Sequence, residues 1–336
     1  MKFFRAGTPL ALVLVAILIP ACGEHSPSGN VPEVPVSSGA TTLRAARLSG
    51  GQEVPPVSTP AIGNATVTVN PAQTEVSVVL EVTGLTDITE AHIHFGDIGI
   101  DGPIIFSLAS GPFTSPLNVT LTTFDFIPQT QGVTTFDSAV QAMMNGRTYV
   151  NVHTAANPDG EIRGQVGPVM MLSFLDGAQE TPPVETGAVG NMSLQLSPDQ
   201  TQITYTLSQS GLVSPITAAH IHAAPPGVPG PIIFPLTDTN FTSPLTGFLS
   251  AKDLTPQSDA GVVTFEDAID AMLTGKTYAN IHTTANPNGE IRGQIQPPIP
   301  TPGTVPPTPT SPTTPTTPTT PAGGGVVPVP VYSRDR

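Results

Sequence analysis

The sequence predicts an all-β protein: two tandem antiparallel β-sandwich domains, each with one short helix. Three observations carry this. The chain repeats itself once, at an offset of 127 to 129 residues, and each copy is long enough to be a domain. Within a copy the dominant hydrophobic period is two, the signature of strands with one buried face. Prolines number 40 and glycines 32, against only 11% charged residues, which suits short strands separated by turns.

Taken in order, the chain opens on Met1-Lys2-Phe3-Phe4-Arg5 and an apolar run from Pro9 to Pro20. That run is too short for a permanent membrane helix and fits the core of a signal peptide over 1–21. Ile19-Pro20-Ala21-Cys22 resembles a bacterial lipobox. Cys22, the single cysteine, is therefore the expected lipidation site, and the mature domains must hold together by packing alone. Residues 22–40 are polar and rich in Pro and Gly, and read as a flexible tether.

The first domain is expected over 41–167 and the second over 169–297. Leu48-Ser49-Gly50-Gly51-Gln52-Glu53-Val54-Pro55-Pro56 matches Leu175-Asp176-Gly177-Ala178-Gln179-Glu180-Thr181-Pro182-Pro183. Glu53 and Glu180 read there as turn stabilisers. Val76, Val78, Leu80 and Val82, like Ile203, Tyr205 and Leu207, alternate with more polar neighbours and mark half-buried strands. The turns before them, Asn70-Pro71-Ala72-Gln73 and Ser197-Pro198-Asp199-Gln200, make hairpins with 65–69 and 192–196. Thr264 offers a helix N-cap with an acidic first turn, Ala268, Ile269, Met272 and Leu273 the apolar face, and Gly275 the stop. Residues 135–146 are its counterpart, and Met143, Met144 and Met272 read as helix core. Pro158-Asp159-Gly160 and Pro287-Asn288-Gly289 turn into each last strand. Beyond Pro297 the Pro/Thr-rich residues 298–336 read as an extended, disordered tail.

A formal net charge of −14 argues against nucleic acid or an anionic membrane surface as partner. The absence of Trp argues against an aromatic sugar platform. The expected setting is the cell envelope, periplasmic or at the cell surface, with the membrane reached through lipid on Cys22. No protein or surface partner is assigned.

Four motifs recur in both copies: the Gln-Glu-x-Pro-Pro opening, Ala-His-Ile-His, Gly-Pro-Ile-Ile-Phe, and an Asn-x-His-Thr segment followed by Pro-x-Gly-Glu-Ile-Arg-Gly-Gln. Together they resemble the CHRD domain, the module named from chordin and common in bacterial secreted proteins. The resemblance implies an extracytoplasmic compartment and leaves the activity open; nothing in the residues supports growth-factor binding.

Six of the seven histidines sit in these motifs: His92, His94 and His153 in the first copy, His220, His222 and His282 in the second. Alternation on a strand puts His92 and His94 on one face with Ile93 on the other, and groups Tyr149, Asn151 and His153 likewise. With the aliphatic faces inward, the histidines belong on the polar outer face. If the two histidine strands are neighbours, three imidazoles converge, a donor set suited to copper or zinc with one position left open. The pattern also resembles the copper side of Cu/Zn superoxide dismutases, which combine a His-x-His strand with a distant strand histidine on a Greek-key sandwich. A Greek-key arrangement is accordingly expected for each domain. The bridging histidine, zinc-site aspartates and disulfide of those enzymes have no equivalent here.

Glu161, Arg163, Glu290 and Arg292 follow the last turn of each copy. They are expected to form a salt-bridged edge or to hold the imidazole tautomers from behind. Asp97 and Asp101 correspond to Pro225 and Pro229, so chemistry common to both domains does not use them. No Gly-x-Ser-x-Gly, phosphate-binding Gly loop or catalytic cysteine is present, and no catalytic residue is assigned. Three readings stay open: a non-enzymatic binding module with a three-histidine metal site per domain, a copper-dependent redox enzyme distantly like superoxide dismutase, and a metal-free structural or adhesive surface protein.

Overall fold

The structure is a computed structural model and describes residues 39–297. The signal peptide, Cys22, all but the last two tether residues and the tail 298–336 lie outside the described residues.

The first domain runs β1 (Thr41–Ser49), β2 (Ile62–Val69), β3 (Val76–Thr83), β4 (Ile88–Phe95), β5 (Ile104–Ala109), β6 (Leu117–Leu121), α1 (Phe136–Met144), β7 (Thr148–Thr154) and β8 (Ile162–Val166). The second repeats it as β9 (Val169–Asp176), β10 (Val189–Leu196), β11 (Ile203–Ser210), β12 (Ile216–Ala223), β13 (Ile232–Thr237), β14 (Leu245–Leu249), α2 (Phe265–Leu273), β15 (Thr277–Thr283) and β16 (Ile291–Gln294). Each domain is one eight-stranded sheet, ordered β5-β4-β7-β8-β1-β2-β3-β6 and β13-β12-β15-β16-β9-β10-β11-β14.

Consecutive hairpins build β1-β2-β3. The chain then crosses to the other half for β4 and β5, and returns with β6 beside β3. The last strand, β8, then lies beside β1, and the order β8-β1-β2-β3 is the Greek-key pattern. The halves meet at β1 and β8 through the single pair Ser49 and Arg163, so the sheet folds over there into a sandwich. At the far side Phe106 bridges Phe126, which brings the segment after β6 onto β5. Between the halves lie Leu43, Val67, Val78 and Leu80 from one side and Ala91, Ile93, Val150, Val152 and Ile162 from the other, all buried. Each large aliphatic side chain so buried contributes about 1.5–3 kcal/mol. This inward row matters for function because its alternation sends His92, His94, Tyr149 and Asn151 outward.

The helices start as their residue types dictate. Thr135 and Thr264 each accept a hydrogen bond from the backbone three residues on, from Ser138 and Asp267, whose side chains reach back to complete a capping box. Met143 and Met272 are fully buried and Met144 packs against the core. Among the described residues no helix is long and apolar enough to cross a membrane.

The two domains meet through β1. A bulge between Ala45 and Leu48 turns Ala46 into the second domain's core and Arg47 onto Asp267 at 2.6 Å. Gln200 seals the joint: its side chain accepts from Ala46 N–H at 2.7 Å and donates to the carbonyls of Gln165 and Gly167 at 3.0 Å.

Candidate metal centre

Strands β4 and β7 are direct neighbours, with His92 opposite Asn151, His94 opposite Tyr149 and Glu90 opposite His153. Facing residues in an antiparallel pair share a side, so the three imidazoles of the first domain gather on the outer face. Two register shifts between β4 and β5, at Ala91/His92 and at Ile93/His94, flank the histidines. Bulges of this kind re-aim side chains next to functional sites. One ring nitrogen from each of His92, His94 and His153 lies within 4.8 Å of the others, and the same holds for His220, His222 and His282.

The outer face is not the solvated face that its polarity suggests. His92, His94 and His153 are only 5%, 8% and 9% exposed, because loops fold back over them. The segment between β4 and β5 returns so that Gly102 carbonyl accepts from His94 Nδ1 at 2.9 Å. A side chain at Gly102 would collide with the Phe95 carbonyl, which explains the glycine of Gly-Pro-Ile-Ile-Phe. The turn after β7 likewise places the Pro158 carbonyl 2.9 Å from His153 Nδ1.

These contacts settle tautomers, because a carbonyl can only accept. His94 and His153 carry their protons on Nδ1 and present lone pairs at Nε2. His94 Nε2 is buried with no partner among the described residues. His153 Nε2 lies 3.2 Å from His92 Nδ1, while His92 Nε2 lies 3.3 Å from Glu90 Oε2. A neutral His92 has one proton for two acceptors. With the proton on Nε2, two nitrogen lone pairs face each other; with it on Nδ1, a lone pair faces a carboxylate. Protonating His92 twice would satisfy both contacts, but burial pushes its pKa down to about 4, with His153 adding to the shift and Glu90 opposing it. Burial also pushes His94 down to about 3 against the Gly102 hydrogen bond. At neutral pH these two rings are neutral, the form a metal requires, and a cation between the nitrogens would relieve the conflict.

The second domain repeats the arrangement. His220 Nδ1 and His282 Nε2 are 3.2 Å apart, Gly230 carbonyl accepts from His222 at 2.9 Å, and Pro287 carbonyl from His282 at 3.0 Å. His222 Nε2 is again buried without a partner among the described residues. Burial drives His222 down to about 4 and lowers His220 and His282 as well.

Glu161 and Arg163 support the site through its loops, with no ion pair between them in the described structure. Glu161 accepts from Thr154 at 2.6 Å, Thr59 at 2.8 Å and Asn157 at 3.1 Å. It thereby ties down the turn that carries the Pro158 carbonyl. Burial opposes its charge, but these hydrogen bonds outweigh that and hold its carboxyl below the ordinary value. Glu290 does the same with Thr283 and Thr186.

Arg163 is almost wholly buried. It donates to the carbonyls of Asp97 at 3.1 Å and Ile100 at 2.9 Å and pairs with Asp101 at 3.3 Å, anchoring the loop that carries Gly102. Its guanidinium lies 3.4 Å from the Tyr149 ring centre, and Tyr149 stacks on His94 at 4.7 Å and 11°. Arg292 stacks on Tyr278 at 3.5 Å and donates to the Pro225 carbonyl at 3.2 Å. The first domain's aspartates are thus loop anchors: the carbonyl contact at Asp97 is kept at Pro225, and the side-chain contact of Asp101 is replaced by Thr181 Oγ1 at 3.2 Å from Arg292.

Sequence reasoning underrated Glu53 and Glu180. Both are buried; Glu180 accepts from Asn280 at 2.8 Å, and a side chain at Gly160 would strike Asn151 and Glu53. The available signal was the recurrence of Gln-Glu-x-Pro-Pro in both copies, a turn that by itself needs no glutamate. Burial pushes Glu53 up to about 8, with Arg163 opposing. The folded protein therefore keeps a proton that the unfolded chain loses. The stability from this group is complete below its ordinary pKa of 4.5 and fades as pH rises towards 8. Glu53→Gln removes that slope. Urea titrations at about pH 5 and about pH 9 should show the variant gaining on the native protein at the higher pH; equal differences at both would disprove the assignment.

The chain matches the CHRD domain family over residues 44–166 and 172–295. It is similar to chordin from Danio rerio, 29% identical over 170 residues, covering 46% of this chain and 17% of that protein. It is also similar to chordin from Xenopus laevis, 25% identical over 174 residues with the same coverage. The chain thus spans 17% of the length of these curated relatives. No solved structure matches it. The four recurring motifs, the two equivalent Greek-key sheets and the match over most of the chain lead to one statement: this protein belongs to the CHRD-domain family and carries two tandem copies of the domain.

Proposed function

We propose that the protein is a cell-envelope lipoprotein, exported behind residues 1–21 and held through lipid on Cys22, whose two CHRD domains each bind one copper or zinc ion. His92, His94 and His153 form one site and His220, His222 and His282 the other. The observation that carries this is the proton shortage found twice over: in each domain two imidazole nitrogens meet at 3.2 Å and a third is buried without a partner among the described residues. A buried polar atom left unsatisfied costs about 1–3 kcal/mol, and a metal ion satisfies all three nitrogens at once.

Three neutral nitrogen donors with a position open suit copper and zinc. The carbonyls of Gly102 and Pro158 hold two of the rings in the tautomer that binds. Each domain serves as a binding module: Glu161, Arg163 and Tyr149 are engaged in holding the loops that cover the histidines. A redox role draws support from the Greek-key placement of a His-x-His strand beside a second histidine strand, and superoxide dismutation by the copper-loaded protein tests it.

Protein refolded with zinc or copper and passed over a desalting column should retain about two equivalents by elemental analysis. Retention of none under either metal sinks the metal reading and leaves a structural or adhesive surface protein.

A further inference from the structure

The first histidine of each triad meets a carboxylate, and the two carboxylates come from different places in the fold. In the first domain Glu90 Oε2 lies 3.3 Å from His92 Nε2. In the second, Asp238 Oδ1 lies 3.6 Å from His220 Nε2. Strand register shows that these are not equivalent positions. Glu90 stands opposite His153 on β4, and the residue in that place in the second domain, opposite His282, is Ala218. Asp238 follows Thr237, which pairs with Ala219; the matching residue Ala109 pairs with Ala91 and is followed by Ser110. Each domain has thus supplied an acid where the other has none, at the same ring nitrogen.

We infer that Glu90 and Asp238 are positioning residues that hold His92 and His220 as Nε2–H tautomers and so turn Nδ1, as a lone pair, towards the metal. The inference rests on the metal-binding reading of the two triads. An ionised carboxylate only accepts, so the tautomer that satisfies it carries the proton on Nε2; the contacts stand at 3.3 Å for Glu90 and 3.6 Å for Asp238, longer than a closed hydrogen bond. With Nε2 protonated, Nδ1 of the first histidine joins Nε2 of the other two as a free donor, which completes the set. Packing does not call for either acid: Glu90 is 53% and Asp238 83% exposed. The other two histidines of each triad are held by backbone carbonyls, so four rings have an acceptor hydrogen-bonded to the outward nitrogen and the remaining two have a carboxylate facing it. Such partners fix ligand tautomer and basicity in metal sites.

The test uses the full chain with its histidine rings labelled with nitrogen-15. In the metal-free native protein near neutral pH, the ring signals of His92 and His220 should report the proton on Nε2. In Glu90→Ala the proton's remaining partner is His153 Nε2, so His92 should switch to the Nδ1–H form while His220 does not change. Asp238→Ala should do the reverse. Glu90→Gln, whose amide oxygen still accepts, should keep the native tautomer. Zinc affinity measured against a competing chelator should fall about tenfold at the altered site in each alanine variant and stay near native in Glu90→Gln. Native tautomers in both alanine variants overturn the inference. If the native chain takes up no zinc, the metal reading fails, and the tautomer measurement still decides what the carboxylates do.

Discussion

His94→Ala combined with His222→Ala is expected to lower zinc or copper affinity at both sites by at least about a hundredfold, since loss of a mere supporting partner already costs 10–100-fold. These two rings are the sharpest choice because their Nε2 atoms are buried and have no partner among the described residues. Removing them deletes an unsatisfied acceptor, and the metal-free fold loses the stacking on Tyr149 and Tyr278 and one hydrogen bond per domain, to the Gly102 and Gly230 carbonyls, worth about 0.5–1.5 kcal/mol each. The metal-free variant should therefore remain folded. The native protein, by contrast, should gain about 4 kcal/mol of stability at a metal concentration a thousand times the dissociation constant. Denaturation curves with and without metal check both halves of this. A metal-induced shift as large in the double variant as in the native protein would show that these nitrogens are not ligands.

Arg163→Ala should be the most damaging single substitution in the first domain, at about 3–5 kcal/mol, the range for removing one partner from a buried charged network. The guanidinium is 1% exposed and pairs with Asp101. It also donates to two loop carbonyls, stacks on Tyr149 and offsets the burial of Glu53. Arg163→Lys should recover little, because an ammonium has neither the planar face nor the fork that these contacts use. Arg147→Ala is the control: its pair with Asp97 is 42% and 31% exposed, and such pairs contribute about 0–1 kcal/mol. Urea midpoints rank the three. Because Arg163 anchors the loop that carries Gly102, metal affinity in the first domain should fall as well. A loss of stability no greater than that of Arg147→Ala would mean that Arg163 does not hold the loop.

Much of the site was legible before any coordinates. Alternation along β4 placed His92 and His94 together, and the repeat singled out six histidines. It also set aside Asp97 and Asp101, whose counterparts are prolines. Period-two patterning cannot say which strand lies beside which, so convergence depended on β4 meeting β7 in the register that puts His94 opposite Tyr149. Nor did polarity show that the outer face is covered: the covering loops have no periodicity, and their carbonyls, which hold His94 and His153, belong to the backbone and are marked in residue type only by the glycine that the close approach at Gly102 requires. Glu161 and Arg163 were expected to form a salt-bridged edge or to hold the imidazoles from behind; among the described residues they make no ion pair with each other, and loops reach them from elsewhere, Thr59 to the one and Ile100 to the other.

The sequence by itself determined the two-domain repeat, the strand and helix types, the inward rows and the recurrence of six histidines in the repeated motifs. These follow from local rules: side chains alternate along a strand, caps need hydroxyls and carboxylates, and tight turns need glycine. The tertiary structure alone decided that five of the six imidazoles are buried, which nitrogen of His94, His153, His222 and His282 is bound by a carbonyl, and that Glu90 and Asp238 face the same ring position from different places in the fold. Those properties depend on contacts between residues far apart in the chain, such as the 62 positions that separate Asp101 from Arg163. Burial and proton placement are set by what closes over a group from a distance, and strand periodicity carries no information about that.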